Sequence, residues 1–262
     1  MEMLQTIPEE LRKIEETHHV RILHAVESGS RSWGFASPDS DYDVRFVYVR
    51  PAADYLRLDE PRDVIEWKND DVLDINGWDL KKALRQFARG NATLFEWSHS
   101  PVVYATTAEW AEIQRVSDPY FSAKSAAYHY YGTAMSTWTT HLLGDMVRYK
   151  KYFYALRPLL AARWISRYHR VPPVRFDELL QMELPPELKT AIDNLVEQKK
   201  RTTEGEQHPQ IPAIRDFIRE ELPRRKALCD AMPEDRNPDL TSLNQCFIRL
   251  IGLEHAVENA KQ

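Results

Sequence analysis

Residues 29–49 read GSRSWGFASPDSDYDVRFVYV, and this stretch decides the fold. A Gly-Ser turn, Gly29-Ser30, is followed by ten residues and then by Asp41-Tyr42-Asp43, which opens a run of β-branched and aromatic residues. Side chains two apart on a strand point to the same face, so Asp41 and Asp43 are placed side by side. Two like charges so placed repel unless something draws them together. A divalent cation does this: hard carboxylate oxygens suit Mg²⁺, which binds through one or two carboxylates plus substrate phosphates. The Gly-Ser turn is the complementary half, because small residues let backbone N–H groups approach phosphate oxygens closely. A phosphate cradle beside metal-binding carboxylates points to phosphoryl or nucleotidyl chemistry. A plain reading also exists, since Ser-Pro-Asp-Ser-Asp is rich in turn formers.

Working outward, Arg21–Val26 (RILHAV) reads as a strand running into the turn, and residues 43–49 as the next strand. Pro8 marks a helix start, with Leu11 and Ile14 at helical spacing. Val64–Trp67 and Val72–Trp78 flank Lys68-Asn69-Asp70-Asp71, a hairpin turn in which Asp71 is a turn residue. Asp79 caps a helix through Leu80, Ala83, Leu84 and Phe87, and Gly90 ends it. A third carboxylate from a neighbouring strand would complete a two-metal site. Asp74, flanked by apolar residues, is the candidate; Asp79 is a weaker rival because helix capping explains it cheaply.

Beyond Pro119 the patterns are helical, over 121–143, 145–169, 186–200, 211–231 and 241–259, with 202–209 a polar loop. This organisation predicts an α+β protein: a small mixed-sheet domain over residues 1–118 and an α-helical domain over 119–262. In the helix from Asp145, Met146, Tyr149, Phe153 and Leu156 should pack inward, while Lys150, Tyr154 and Arg157 share another face. Pro158 should kink or restart it.

Charge is uneven. Nine acidic residues fall within 54–79 against three basic ones, whereas 121–176 carries one acid, Asp145, against nine Lys and Arg and many aromatics. Facing one another, two such surfaces would form a cleft suited to a metal–nucleotide complex. The chain of 262 residues is 43% hydrophobic and 29% charged with a net charge of −5, an ordinary composition with no global pull toward nucleic acid or membrane. Cys229 and Cys246 form no CxxC pair, which disfavours a disulfide scaffold or cysteine zinc site and fits a cytoplasmic protein. The acidic N-terminus lacks a signal peptide's apolar core, and no long apolar run predicts a membrane span. The histidines show no HxxxH or HExxH spacing. Ser30 lacks the flanks of a nucleophile elbow, which favours phosphate binding. Arg31 is placed to reach a phosphate or the turn's surface, and Trp33 and Phe35 read as core.

At these residues the chain resembles the DNA polymerase β-like nucleotidyltransferase superfamily, whose mark is Gly-Ser, a short helix, then Asp-x-Asp on the next strand and a third carboxylate later. Four segments, ESGSRSWGFASPDSDYDVRFVY, DINGWDLKKAL, LFEWSHSP and YFYALRPLLAARWI, are similar to one branch: predicted nucleotidyltransferases grouped as RNA-ligase-associated or YcgL-like. The resemblance implies Mg²⁺ (or Mn²⁺) on Asp41, Asp43 and Asp74. It also implies a nucleoside triphosphate on Gly29, Ser30 and Arg31, with Lys150, Tyr154 and Arg157 as further nucleotide contacts. The acceptor would be an RNA end, a protein hydroxyl or a small molecule; the basic, aromatic stretch leans toward RNA. Two other readings stand beside it: a nucleotide-binding module without turnover, and a helical ribonuclease of the HEPN class acting through Arg163 and His169.

Overall fold

A computed structural model describes residues 2–37, 40–70, 72–199 and 206–254. Asp71, Lys200, residues 202–205 of the expected loop and residues 255–259 of the expected last helix lie outside the described residues. The chain divides into two compact units: residues 1–32, 40–121 and 236–262, and residues 33–39 with 122–235. A single cut at 118/119 does not describe this division, because two short segments join the unit that is distant in sequence.

The first unit opens with α1 (Glu2–His18), β1 (Arg21–Ser28), the short α2 (Gly29–Trp33) and β2 (Tyr42–Val49), and continues through α3 (Ala52–Tyr55), β3 (Val64–Asn69) and β4 (Leu73–Asp79). It then runs through α4 (Leu80–Ala88), α5 (Ala92–Ser98), β5 (Val103–Thr106) and α6 (Ala108–Ser117). The sheet order is β3-β4-β2-β1-β5, with β2 and β4 parallel and the other neighbours antiparallel. β1 lies between two strands, and its middle residues are all buried, hence the near-continuous apolar run. β4 alternates instead: Leu73, Ile75, Gly77 and Asp79 are buried, while Asp74, Asn76 and Trp78 are half-buried. Ile7, Leu11 and Ile14 of α1 pack with Val44, Phe46, Tyr48, Leu73 and Ile75 in one core cluster. Fully burying side chains of this kind stabilises by roughly 1.5–3 kcal/mol each. By strand alternation Asp43, Arg45 and Asp74 therefore point to the face away from α1. Gly77 sits opposite Phe46, and a Cβ there would fall 2.2 Å from the ring, so no larger residue fits this register.

The β3–β4 turn is held by Asp70, whose Oδ1 accepts from the N–H groups of Val72 and Leu73 at 3.0 and 2.8 Å. Gly90, with φ of +68°, ends α4 as its sequence position predicts. α1 starts at Glu2 and continues through Pro8, earlier than the expected start.

The second unit holds α7 (Ala123–His141), β6 (Met146–Arg148), α8 (Tyr149–Tyr168), α9 (Phe176–Leu179), α10 (Pro186–Lys199), β7 (Gln207–Pro209) and α11 (Pro212–Ala231). Two expectations change here. Residues 146–148 pair with 207–209 as a two-stranded ribbon, so Met146 is exposed, α8 begins at Tyr149, and the end of the expected 202–209 loop is a strand. α8 also passes through Pro158 unbroken. Every residue from Leu156 to Ala162 is buried, and that packing offsets the roughly 3 kcal/mol cost of an interior proline.

The chain then returns to the first unit as α12 (Thr241–Leu250), with Leu243 and Cys246 buried and Phe247 edge-on to Tyr55 at 5.0 Å. The Tyr120 hydroxyl donates to the Asp239 carbonyl, and Arg249 pairs with Glu112. Among the described residues no helix is long and apolar enough to cross a membrane.

Candidate active site

The Gly-Ser turn and the Asp-x-Asp run meet because β1 and β2 are antiparallel neighbours, with Ser28 opposite Asp43. Gly29 follows at once, with φ of +70°, and a Cβ on it would lie 2.3 Å from Asp43 Oδ2. Both the left-handed backbone and the close carboxylate demand glycine. Ser30 and Ser32 are buried in α2, and Ser32 Oγ donates to the Gly29 carbonyl at 2.9 Å. Arg31 Nε and Nη2 donate to the carbonyls of Asp41 and Ser40 at 3.0 and 2.5 Å, and its guanidinium lies 3.7 Å from the Tyr42 ring centre. Arg31 thus braces the returning chain against the turn that precedes it.

Asp43 and Asp74 stand opposite each other on the parallel strands β2 and β4. Arg45, two residues beyond Asp43, shares its face. Its Nη2 donates to Asp74 Oδ2 at 2.6 Å and to Asp43 Oδ1 at 3.2 Å, while Nη1 donates to the carbonyls of Val44 and Asp74. The three side chains are 25% (Asp43), 27% (Asp74) and 16% (Arg45) exposed, which keeps this pairing partly shielded from water. Burial pushes the Asp43 carboxyl up to about 6; Arg45 opposes the rise, and the charges of Asp41 and Asp74 add to it. Asp41 is exposed to solvent.

Glu27 is an acid that the motif did not flag. It is fully buried, accepts from the Asp43 N–H at 2.9 Å, and receives the Tyr104 hydroxyl. Burial raises its carboxyl above the usual range, while those two donors pull the other way. It ties the start of β2 to β1 and β5. A signal was present: Glu27 is two residues from Ala25 on an apolar strand, so the glutamate points to the face that Ala25 takes. Arg45 was likewise readable from its two-residue offset from Asp43.

Asp79 is placed differently from Asp74. It is buried, accepts from the Lys81 N–H at 2.8 Å as the cap of α4, and accepts the Tyr55 hydroxyl at 2.8 Å. Strand alternation turns it to the other face of β4. Capping thus accounts for Asp79, and Asp74 is the carboxylate beside Asp43.

Lys150, Tyr154 and Arg157 belong to the second unit. Lys150 is half-buried and Tyr154 is 36% exposed. Arg157 is buried, donates through Nε and Nη2 to the Val174 carbonyl, and lies 4.5 Å from the Trp33 ring centre. Its own unit therefore engages this guanidinium. Phe35 is core in that unit, stacked on Phe153 at 4.7 Å. Arg163 donates to the Glu183 carbonyl, and His169 ends α8 in a left-handed conformation.

Among the described residues no group of three or more His, Cys, Asp or Glu side chains forms a ready metal cage. In that region Arg45 bridges the two carboxylates of Asp43 and Asp74. The donor chemistry nevertheless fits a hard cation at Asp41 and Asp43: all ligands are carboxylate oxygens, and the charges of Asp41 and Asp74 both bear on Asp43.

Three likenesses to other proteins bear on this geometry. The family RlaP, described as the RNA repair pathway DNA polymerase beta family, matches residues 3–249. The uncharacterised protein YcgL of Bacillus subtilis (strain 168) is 39% identical over 253 residues, covering 95% of this chain and 96% of that protein. A crystal structure of a nucleotidyltransferase-like protein from Exiguobacterium sibiricum 255-15 aligns with 93% of this chain and 79% of its own, at 8% identity and a TM-score of 0.27, a likeness too loose to build on. The match over nearly the whole length, together with the extent of identity to YcgL, places the chain in the RNA repair pathway DNA polymerase beta family.

Proposed function

We propose that the protein transfers a nucleoside monophosphate from a nucleoside triphosphate to a hydroxyl acceptor and releases pyrophosphate. The observation that carries this reading is Gly29 held against Asp43, with Asp74 in register beside it. Asp41 and Asp43 would hold Mg²⁺ or Mn²⁺, with Asp74 adjacent; when bound, the cation supplies Lewis-acid activation of the α-phosphate and neutralises charge on the leaving pyrophosphate. The turn at Gly29-Ser30 offers backbone N–H groups to the triphosphate, and Arg31 keeps that turn fixed. The acceptor oxygen attacks the α-phosphorus, the new O–P bond forms as the bond to pyrophosphate breaks, and Asp74 takes the hydroxyl proton. Arg45 steers Asp74 into place for that role. The protein thus contributes mainly position and charge, as in phosphoryl transfer generally.

The family's description favours an RNA acceptor. We place the reaction in the cytoplasm, in keeping with two free, buried cysteines. The test is incubation with each α-labelled triphosphate, RNA and Mg²⁺. Label should enter RNA with release of pyrophosphate, and Asp43→Asn should abolish both. Mg²⁺-dependent triphosphate binding with no turnover toward RNA, protein or small hydroxyls would replace this reading with that of a binding module. Metal-free RNA cleavage lost in His169→Ala would replace it with the ribonuclease.

A further inference from the structure

The first unit has a second charged cleft that the carboxylate site does not use. A cavity of about 260 Å³ opens at the start of α4, lined by six cations: Arg50, Arg57, Arg62, Lys81, Lys82 and Arg85. Four acids also line it, and three are already matched. Asp54 lies 3.7 Å from Arg57, Asp63 lies 3.0 Å from Lys82, and Asp79 caps α4. Glu60 remains. On the other side, Arg62, Lys81 and Arg85 make no side-chain hydrogen bond or ion pair among the described residues. Arg50 Nε is buried without a hydrogen-bond partner and stands 3.9 Å from Asp79. Three unmatched cations against one acid leave the cleft short of negative charge.

This cleft shares Lys81 and Arg85 with a second cavity of about 200 Å³, whose other walls are Leu84, Leu240, Leu243, Asn244 and Phe247. Here the lining is apolar and aromatic, and Leu240 is 46% exposed. Asn244 is its one uncharged polar side chain, and an amide offers both a donor and an acceptor. A cationic basin joined to an apolar slot with one aromatic ring and one amide matches a ligand that is anionic at one end and a heterocycle at the other. Asp79 and Asp74 are five residues apart on β4, which is about 17 Å at the ~3.3 Å rise of a strand. The cleft is therefore distinct from the carboxylate site.

We infer that this composite cleft binds a nucleotide unit. Its phosphate lies against Arg62, Lys81 and Arg85, and its base lies in the slot beside Leu240 and Asn244. The unit is either a free nucleotide or one residue of an RNA strand. The inference rests on the cleft alone and does not require the proposed reaction.

The test is fluorescence anisotropy on the full chain with a labelled, 5′-phosphorylated oligoadenylate. It is run in EDTA so that metal-dependent binding at the carboxylates is silent, and over a series of salt concentrations. The triple variant Arg62→Gln/Lys81→Gln/Arg85→Gln should weaken binding at least tenfold at low salt. It should also flatten the slope of log K against log salt by roughly 0.7, the contribution of one single-strand phosphate contact. Leu240→Ser should weaken binding while leaving the charge of the cleft unchanged. AMP competing at equal affinity identifies a free nucleotide as the ligand; an oligonucleotide that binds far more tightly identifies a strand. The inference is overturned if the triple variant melts as the parent does yet keeps its affinity and salt slope, or if the parent binds neither probe.

Discussion

Replacing Asp43 with asparagine should make the metal-free protein more stable at alkaline pH while removing its activity. The folded state raises this carboxyl from 3.8 to about 6, chiefly by burial, with Asp41 and Asp74 adding to the rise. A raised carboxyl means that the folded chain holds its proton more tightly than the unfolded chain does. Its contribution is therefore fully favourable below 3.8, is lost as pH rises through the window from 3.8 to about 6, and is a constant cost above it. At ~1.36 kcal/mol per pH unit, that window corresponds to roughly 3 kcal/mol at pH 8. The attraction of Arg45, 3.2 Å from Asp43, is already contained in that figure, because it opposes the rise. The expectation for Asp43→Asn is therefore a gain of up to about 3 kcal/mol at pH 8, or roughly 6–12 °C in Tm. At pH 4 the gain should vanish or reverse, because the parent's Asp43 is then protonated. Thermal melts of both proteins in EDTA at pH 4, 6 and 8 measure this directly. Added Mg²⁺ should raise the parent's Tm and leave the variant's unchanged. If Asp43→Asn lowers Tm by the same amount at pH 4 and pH 8, Asp43 carries no electrostatic cost and the reasoning fails.

The remaining predictions concern the residues around it. Gly29→Ala should cost about 1–2 kcal/mol from the positive φ alone; its Cβ, 2.3 Å from Asp43 Oδ2, should also displace that carboxylate, so Mg²⁺ affinity by calorimetry should fall with stability. Arg45→Gln leaves Asp43 and Asp74 without their shared counter-charge and should destabilise by about 2–4 kcal/mol. Millimolar Mg²⁺ should restore part of that loss in a thermal melt, whereas a purely structural arginine would show no such rescue. Asp79→Ala removes the α4 cap and should cost about 1–2 kcal/mol, yet Mg²⁺ affinity should match the parent's, in contrast to Asp74→Ala, which should weaken it.

Much of the first unit was legible because its signals are local. Gly29-Ser30 and Asp41-Tyr42-Asp43 are short motifs bounded by a strand on each side, and Asp70 and Asp79 do turn and cap work written in adjacent residues. Asp74 was preferred to Asp79 on local grounds, but its place directly opposite Asp43 was not legible, because that depends on the β2–β4 register. The ribbon of residues 146–148 with 207–209 was missed for a related reason. Three-residue strands carry no period of their own, and Met146 falls in phase with the helix that follows. Pro158 misled because propensity is outweighed by a buried helix middle. The exchange of residues 33–39 and 236–262 between units is set by contacts distant in sequence, such as Phe247 with Tyr55 and Phe35 with Phe153, and no local pattern announces these.

The most direct test of nucleotidyl transfer is a single-turnover assay. It follows pyrophosphate release and label incorporation from α-labelled triphosphates, with Mg²⁺ and an RNA acceptor, for the parent, Asp41→Asn, Asp43→Asn and Asp74→Asn. The account predicts metal-dependent transfer by the parent and a loss of at least about a hundredfold in each variant, the scale expected when a charged group acting on the reacting phosphate is removed. Transfer that persists in Asp43→Asn, or that proceeds equally well in EDTA, would contradict it.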